Sequence, residues 1–194
     1  YQIDLSKDHT YPMPKTLNNF EITNNNPKVG IAPFAKHIGK VYPLDLMQKI
    51  IAYLSQNNQV FLFGFGDELK ILEKWKSSYK NVDCPSSNSN FKQEIELISN
   101  LDLMISMDSA NGHIASIYNV PVITIWGLTH PFTGFSTFNS TEENQFTVDR
   151  TKFPLIPTSI YGNKKIKGYE DAMRSIDLNG LLFRADQILN QTSS

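Results

Sequence analysis

The sequence predicts a doubly wound α/β domain, a parallel sheet with helices on both faces. Short apolar runs alternate with segments whose apolar residues recur at helical spacing. Polar turns follow the carboxyl ends of those runs. The stretch Leu101 to Phe135 (LDLMISMDSANGHIASIYNVPVITIWGLTHPFTGF) compresses strand, turn, helix and strand with almost no spare residues. Such a βαβ unit needs a right-handed crossover and lays its strands parallel. Ligands of such sheets collect at the strands' carboxyl ends.

Taken in order, Tyr1 to Pro27 has weak periodicity, with Pro12, Pro14 and Asn24-Asn25-Asn26, and reads as a linker or edge segment. Residues 28–194 read as the domain proper. Val29 to Phe34 is the first buried strand, ended near Pro33. Lys36, His37 and Lys40 follow in a loop. Leu44, Met47, Ile50, Ile51 and Leu54 then mark a helix with Pro43 in its first turn, closed by Asn57 and Asn58. Val60 to Phe63 is a second strand. The turn Gly64-Phe65-Gly66-Asp67-Glu68 leads into a helix with Leu69, Leu72 and Trp75 inward. Val82 centres a short third strand. A helix over Phe91 to Asn100 precedes the strand Met104 to Met107.

Asp108 ends that run, and His113 opens a helical segment with Ile114, Ala115, Ile117 and Tyr118 as candidate buried positions. Val122 to Trp126 is the next strand, and Gly134 to Asn144 reads as a mobile polar loop. Phe146 to Val148 is a last short strand, and Thr151 to Lys167 an irregular basic loop. Leu178, Leu181, Leu182, Ala185, Ile188 and Leu189 trace the final helix, with Asp177 as candidate N-cap.

Composition narrows the function classes. The chain has 194 residues and a formal net charge of -1, so a broad electrostatic attraction to nucleic acid is not indicated. Cys84 is the one cysteine, which excludes an intrachain disulfide and a cysteine-built zinc site. No H-E-x-x-H spacing is present, so no metal is expected. No apolar run is long enough to span a bilayer, and no secretory signal stands at the start. The chain begins at Tyr1 rather than Met, so the expectation is a piece of something longer.

Three motifs carry a resemblance. Asp108-Ser109-Ala110-Asn111-Gly112-His113 resembles the D-[ST]-G-x-x-H segment of the heptosyltransferase-like glycosyltransferases, family nine. Gly127-Leu128-Thr129-His130-Pro131 is similar to the G-x-T-x-P that follows the next strand there. Lys40-Val41-Tyr42-Pro43 resembles the family's K-x-W-P, with Tyr for Trp. One departure is visible: Ala110 stands where the family usually has Gly, which argues against left-handed backbone at that position. The resemblance covers about Val29 to Val148, with a weaker match in the last helix.

The resemblance implies a Rossmann-like C-terminal half of a GT-B enzyme, the half that binds a nucleotide-sugar donor. Lys40 and Asp108 are implied as the catalytic pair, Lys40 against the donor phosphate and Asp108 beside the donor sugar. Ser109, Ala110, Asn111, Gly112 and His113 are implied to border the diphosphate. Thr129 joins the same cleft by following another strand's carboxyl end. Glu68 is implied to bind the ribose hydroxyls, and Asp67 is an equal candidate by register. Each has a plainer reading: Lys40 as a solvated loop lysine, Asp108 as a helix N-cap, His113 as a packed helix residue, Glu68 as a charged first helical turn.

The implied chemistry is metal-free transfer of a heptose-like sugar from ADP-heptose or a similar donor to a saccharide or lipid-linked acceptor, as in lipopolysaccharide synthesis. The implied location is cytoplasmic. It leaves open a peripheral position of the full-length protein at the inner face of the bacterial inner membrane. The acceptor site and general base are expected in an N-terminal domain outside this chain. A nucleotide-binding or regulatory module without transfer activity is the alternative, and a different GT-B enzyme such as a sugar-nucleotide epimerase a third.

Overall fold

The computed structural model describes residues 11–15 and 26–192. Most of the expected linker, 1–27, lies outside the described residues. Of the described part, the Lys15 N–H donates to Ser99 Oγ at 3.0 Å, and the Asn100 side-chain amide donates to the Lys15 carbonyl at 2.7 Å.

Six strands form one sheet: β1 (Lys28–Ala32), β2 (Gln59–Leu62), β3 (Val82–Asp83), β4 (Leu103–Met107), β5 (Val122–Ile125) and β6 (Gln145–Phe146). Their spatial order is β3-β2-β1-β4-β5-β6, and every neighbouring pair is parallel. Five helices connect and flank them: α1 (Leu44–Leu54), α2 (Glu68–Ser78), α3 (Phe91–Ile98), α4 (Ala110–Ile117) and α5 (Leu178–Thr192).

Strand side chains alternate between the two faces, and this period of two divides the core. Val29, Ile31, Val60, Leu62, Leu103, Ile105, Ile123 and Ile125 turn to one face, where α1, α2 and α5 supply Ile50, Leu54, Trp75, Leu181 and Ala185. Phe61, Phe63, Met104 and Val122 turn to the other, against Leu97, Ile98 and Ala115 of α3 and α4. Each such side chain contributes about 1.5–3 kcal/mol by leaving water. A sheet buried on both faces explains why its strands read as unbroken apolar runs.

The strand order reverses between β1 and β4. In open α/β sheets the crevice at such a reversal, outside the carboxyl ends, is where a ligand fits. Here the register sets Ala32 beside Ser106 and Met107 beside Ile125, so the loops leaving β1, β4 and β5 start level on one edge.

Several expectations shift by a residue or more. β1 stops at Ala32, because Pro33 has no N–H to extend the ladder. Phe34 instead stacks on Trp75, with centroids 6.2 Å apart. α4 begins at Ala110, three residues before His113, because Ser109 already holds the extended backbone of an N-cap position. Ile117 is 51% exposed rather than buried, and Ser116 takes the inward place, donating to the His113 carbonyl at 2.8 Å. The loop Gly134 to Asn144, expected to be mobile, is held at two buried points: Thr137, and Asn144, which accepts from Arg184 Nε at 2.8 Å. Asp177 does cap α5, accepting the Gly180 N–H at 3.0 Å.

The loops at the carboxyl edge meet through glycines. A Cβ on Gly39 would collide with the Gly162 carbonyl oxygen, and one on Gly127 would collide with the Gly39 carbonyl oxygen and sit 2.8 Å from Lys40 Cα. The Leu128 N–H donates to the Gly39 carbonyl at 2.8 Å, and the Thr158 N–H to the Leu128 carbonyl at 3.0 Å. The loop after β1, the loop after β5 and the basic loop are thereby laced together. Gly127→Ala is expected to destabilise the chain by about 1–3 kcal/mol, because the atoms a methyl would strike are backbone that must shift. A fall in the urea midpoint at unchanged slope checks it; an unchanged midpoint would mean that the loops are not held in register here.

Candidate functional site

Lys40 closes a short 3-10 turn, Ile38–Lys40, that follows β1. Asp108 follows β4, the adjacent strand. Their side chains meet across the reversal point of the sheet, with Lys40 Nζ 2.5 Å from Asp108 Oδ2. The lysine side chain is 12% exposed and the aspartate 6%, so the pair is largely withdrawn from solvent and weakly screened by salt. Asp108 is therefore an ion-pair partner rather than the N-cap, and Lys40 is not a solvated loop lysine.

The N-terminus of α4 lies immediately beyond. Ser109 occupies its N-cap position yet makes no capping hydrogen bond. Its hydroxyl is 2.9 Å from Ser106 Oγ, and Ser106 in turn donates to the Met107 carbonyl at 2.6 Å. α3, by contrast, has a reciprocal capping box of Asn90 and Gln93. The α4 end thus keeps its N–H groups and its partial positive charge directed at the edge that carries Lys40. Ala110 opens the helix with ordinary backbone: the non-glycine residues of positive φ among those described are Asn81 and Asn119. The helix start needs no left-handed residue, so Ala replaces Gly here without strain.

Gly112 is buried, and a Cβ on it would lie 3.2 Å from Ser106 Oγ and 3.5 Å from Thr137 Cγ2. Asn111 and His113 are half-buried. Thr129 is fully buried, and its hydroxyl has no hydrogen-bond partner among the described residues. It packs on Gly162 together with Lys40: a Cβ there would lie 3.0 Å from Thr129 Cγ2 and 3.4 Å from Lys40 Cγ. Beside it, burial and then the Arg150 charge push the His130 imidazole below its ordinary value. Its Nδ1 accepts the Phe132 N–H at 3.4 Å, a bond that the neutral ring makes.

Glu68 stands apart from this group. It opens α2 after β2, one strand outward from β1, and Oε2 accepts the Phe65 N–H at 3.0 Å. That bond orders the glycine-rich turn and leaves the second carboxylate oxygen for another donor. Asp67 is almost fully exposed and pairs with Lys70 at 2.9 Å. Of the two acids that register left equal, Glu68 is thus the one held in place.

The structure accordingly gathers Lys40, Asp108, Thr129 and the segment Ser109 to His113 at one edge, with Glu68 on the neighbouring loop. Sequence reasoning missed the glycines that seat Lys40, the packing of Thr137 under the loop, and Phe135, whose ring centroid is 5.9 Å from Lys40 Nζ. A signal for the last was present: Phe132, Phe135 and Phe138 recur every third residue in an otherwise polar loop. Among the described residues no group of three His, Cys, Asp or Glu could hold a metal ion, and no helix is long and apolar enough to cross a membrane.

This geometry meets a family model, glycosyltransferase family 9 (heptosyltransferase), which matches residues 3–165. The chain belongs to that family. Solved structures agree in fold. ADP-heptose LPS heptosyltransferase II of E. coli is 15% identical with a TM-score of 0.65, over 90% of this chain and 50% of that one. The family 9 glycosyltransferase of Veillonella parvula is 14% identical with a TM-score of 0.65, over 88% and 48%. The E. coli heptosyltransferase WaaC, solved with ADP, is 14% identical with a TM-score of 0.61, over 86% and 45%. The chain spans about half the length of the solved structures it matches. No curated protein matches it. In this family 9 chain the buried Thr129 hydroxyl makes no bond among the described residues. Thr129→Val should therefore leave stability unchanged or raise it by up to ~1 kcal/mol, since it removes an unmade hydrogen bond at similar volume. Urea denaturation measures it, and a loss above that size would reveal a partner for the hydroxyl.

Proposed function

We propose that this chain is the donor-binding part of a glycosyltransferase that moves a heptose-like sugar from a nucleotide-sugar, with ADP-heptose as the leading candidate, to a saccharide acceptor. The observation that carries the reading is the Lys40–Asp108 pair, set beside an uncapped helix N-terminus at the reversal point of the sheet. Breaking a sugar–phosphate bond leaves negative charge on the bridging oxygen. A cation and preorganised N–H groups lower the cost of that charge. In the proposed complex Lys40 and the first turn of α4 receive the diphosphate, and Asp108 accepts from hydroxyls of the sugar. Glu68 accepts from the ribose with the carboxylate oxygen that Phe65 does not use. Thr129, whose buried hydroxyl has no partner among the described residues, borders the same ligand and reaches it only if the loop after β5 shifts. WaaC solved with ADP, and TibC solved in complex with ADP-D-β-D-heptose, supply the choice of base and sugar.

The activation of the acceptor has no candidate among these residues. The general base and acceptor site are proposed to come from a further domain, with the acceptor a saccharide or lipid-linked glycan of lipopolysaccharide synthesis. The proposed location is cytoplasmic, with peripheral membrane association for the full-length protein. The chain alone is then expected to bind ADP weakly and transfer no sugar. Turnover of ADP-heptose above a buffer control, abolished by Asp108→Ala, would overturn that division of labour. The phosphate role has its own test. Lys40→Ala should weaken ADP binding by roughly 1–3 kcal/mol, the range for hydrogen bonds to charged groups, and adenosine binding far less. The variant also leaves Asp108 uncompensated beside the phosphates, which adds to the loss. Calorimetry with both ligands decides it: equal losses would remove Lys40 from the phosphate site.

A further inference from the structure

Phe135 is a costly residue for its place. Its side chain is 40% exposed, and it projects from a loop of Ser, Thr, Asn and Gly. The loop that carries it is not loose. Gly134, at φ 87°, turns the chain after the short 3-10 turn Pro131–Thr133. Thr137 is buried and packs against Gly112 of α4. The Phe138 N–H donates to Ser116 Oγ at 3.4 Å, and the Asn139 amide to the Val120 carbonyl at 3.4 Å. The ring is thus delivered to a fixed point from two anchored sides, over the helix that opens beside Asp108.

That point is the ammonium of Lys40. The ring centroid is 5.9 Å from Nζ, and Asp108 Oδ2 is 2.5 Å from the same atom. An aromatic face and a carboxylate therefore flank one cation at the mouth of the site. The neighbouring Phe132 is not equivalent: the Arg150 guanidinium stands 5.0 Å over its ring, and His130 is 4.1 Å away, centroid to centroid. Among the described residues no ring stacks on Phe135. At 5.9 Å the cation–π contact is at the outer limit of such interactions, too weak to explain why an exposed Phe is held here.

A sugar ring presents just the complement of this pair. Its hydroxyls need a carboxylate acceptor, and its C–H face needs an apolar, electron-rich surface in van der Waals contact. We infer that Phe135 is a specificity-determining residue of the donor site: its ring is the platform on which the C–H face of the donor sugar rests while Asp108 accepts from the hydroxyls. The inference rests on the donor-site reading above and assigns this residue to the sugar, as distinct from the nucleoside diphosphate. Recognition by a ring and one carboxylate favours a pyranose with an extended C–H face over a smaller or planar group.

The experiment compares two ligands by calorimetry on the purified chain, ADP and ADP-D-β-D-heptose. Phe135→Ala is expected to raise the Kd for ADP-heptose roughly three- to tenfold, the size of an aromatic stacking contribution, and the Kd for ADP less than twofold. Phe135→Leu, which keeps apolar bulk without the π face, is expected to recover only part of the loss, and Phe135→Trp all of it. The exposed position keeps the variants folded, and an unchanged thermal melt checks this. Equal losses for the two ligands would overturn the inference, because they would mean that Phe135 only steadies Lys40 for the phosphates. No loss for either would overturn it as well. Absence of ADP binding by the wild-type chain is a different outcome, one that removes the donor-site reading itself and this inference with it.

Discussion

The rest of the site depends on a close crossing of backbones at Gly39, Gly127 and Gly162. No side chain can be placed at Gly39 or Gly127 without striking main chain, and the carbonyl of Gly39 accepts directly from Leu128. The crossing fixes the exit of the loop after β1 against the exit of the loop after β5. Lys40 is the next residue after Gly39, so its Cα is placed by backbone contact rather than by its own long and flexible stem. A lysine carries about 2 kcal/mol of rotamer entropy, and part of it is already lost where the stem passes beside Gly162. The pairing with Asp108 then costs little further ordering. Tyr42, fully buried in the core two residues later, anchors the other side of the lysine. Burial, helped by the nearby Asp45 carboxylate and opposed by the Arg174 charge, pushes its phenol up to about 12, so it acts here as a neutral packing group.

The same crossing explains how much of the protein was legible in its sequence. The strands announced themselves because a parallel sheet is covered on both faces, and Val, Ile, Leu, Phe and Met then fill consecutive positions. The order of the sheet was not readable, since the pairing of β1 with β4 is a contact across more than seventy residues. Of the site, the segment Asp108 to His113 was legible because strand end, turn and helix start are local events. Its partner Lys40 was legible only through a motif. The seating of Lys40 depends on Gly162, in a loop that reads as irregular and basic, and spacing alone gave no reason to bring that loop to the sheet edge. Ile117 misled because a four-residue helical spacing does not know which face the neighbouring loop leaves open; Ser116 is covered by the loop at Phe138, and Ile117 is not.

Buried charge also constrains the orientation of any anionic ligand here. Asp108 is compensated by Lys40, so the pair presents little net charge, and the positive end of α4 lies on one side of it. A diphosphate brought against Asp108 would repel its carboxylate in a site with little solvent to screen the charge, and each unit charge at a few ångströms matters there. Brought against α4 and the ammonium of Lys40, it meets partial and full positive charge. The carboxylate is then left to accept from hydrogen-bond donors of the ligand. Under the proposed reading those donors are sugar hydroxyls. On that reading a phosphate side and a sugar side are expected from the sign of three groups, Lys40, Asp108 and the α4 N-terminus. Phe135 is uncharged and lies beside the lysine, so it offers no charge to the phosphates. Under the inference above, its contribution is therefore expected to separate from that of Lys40 when ligands with and without the sugar are compared.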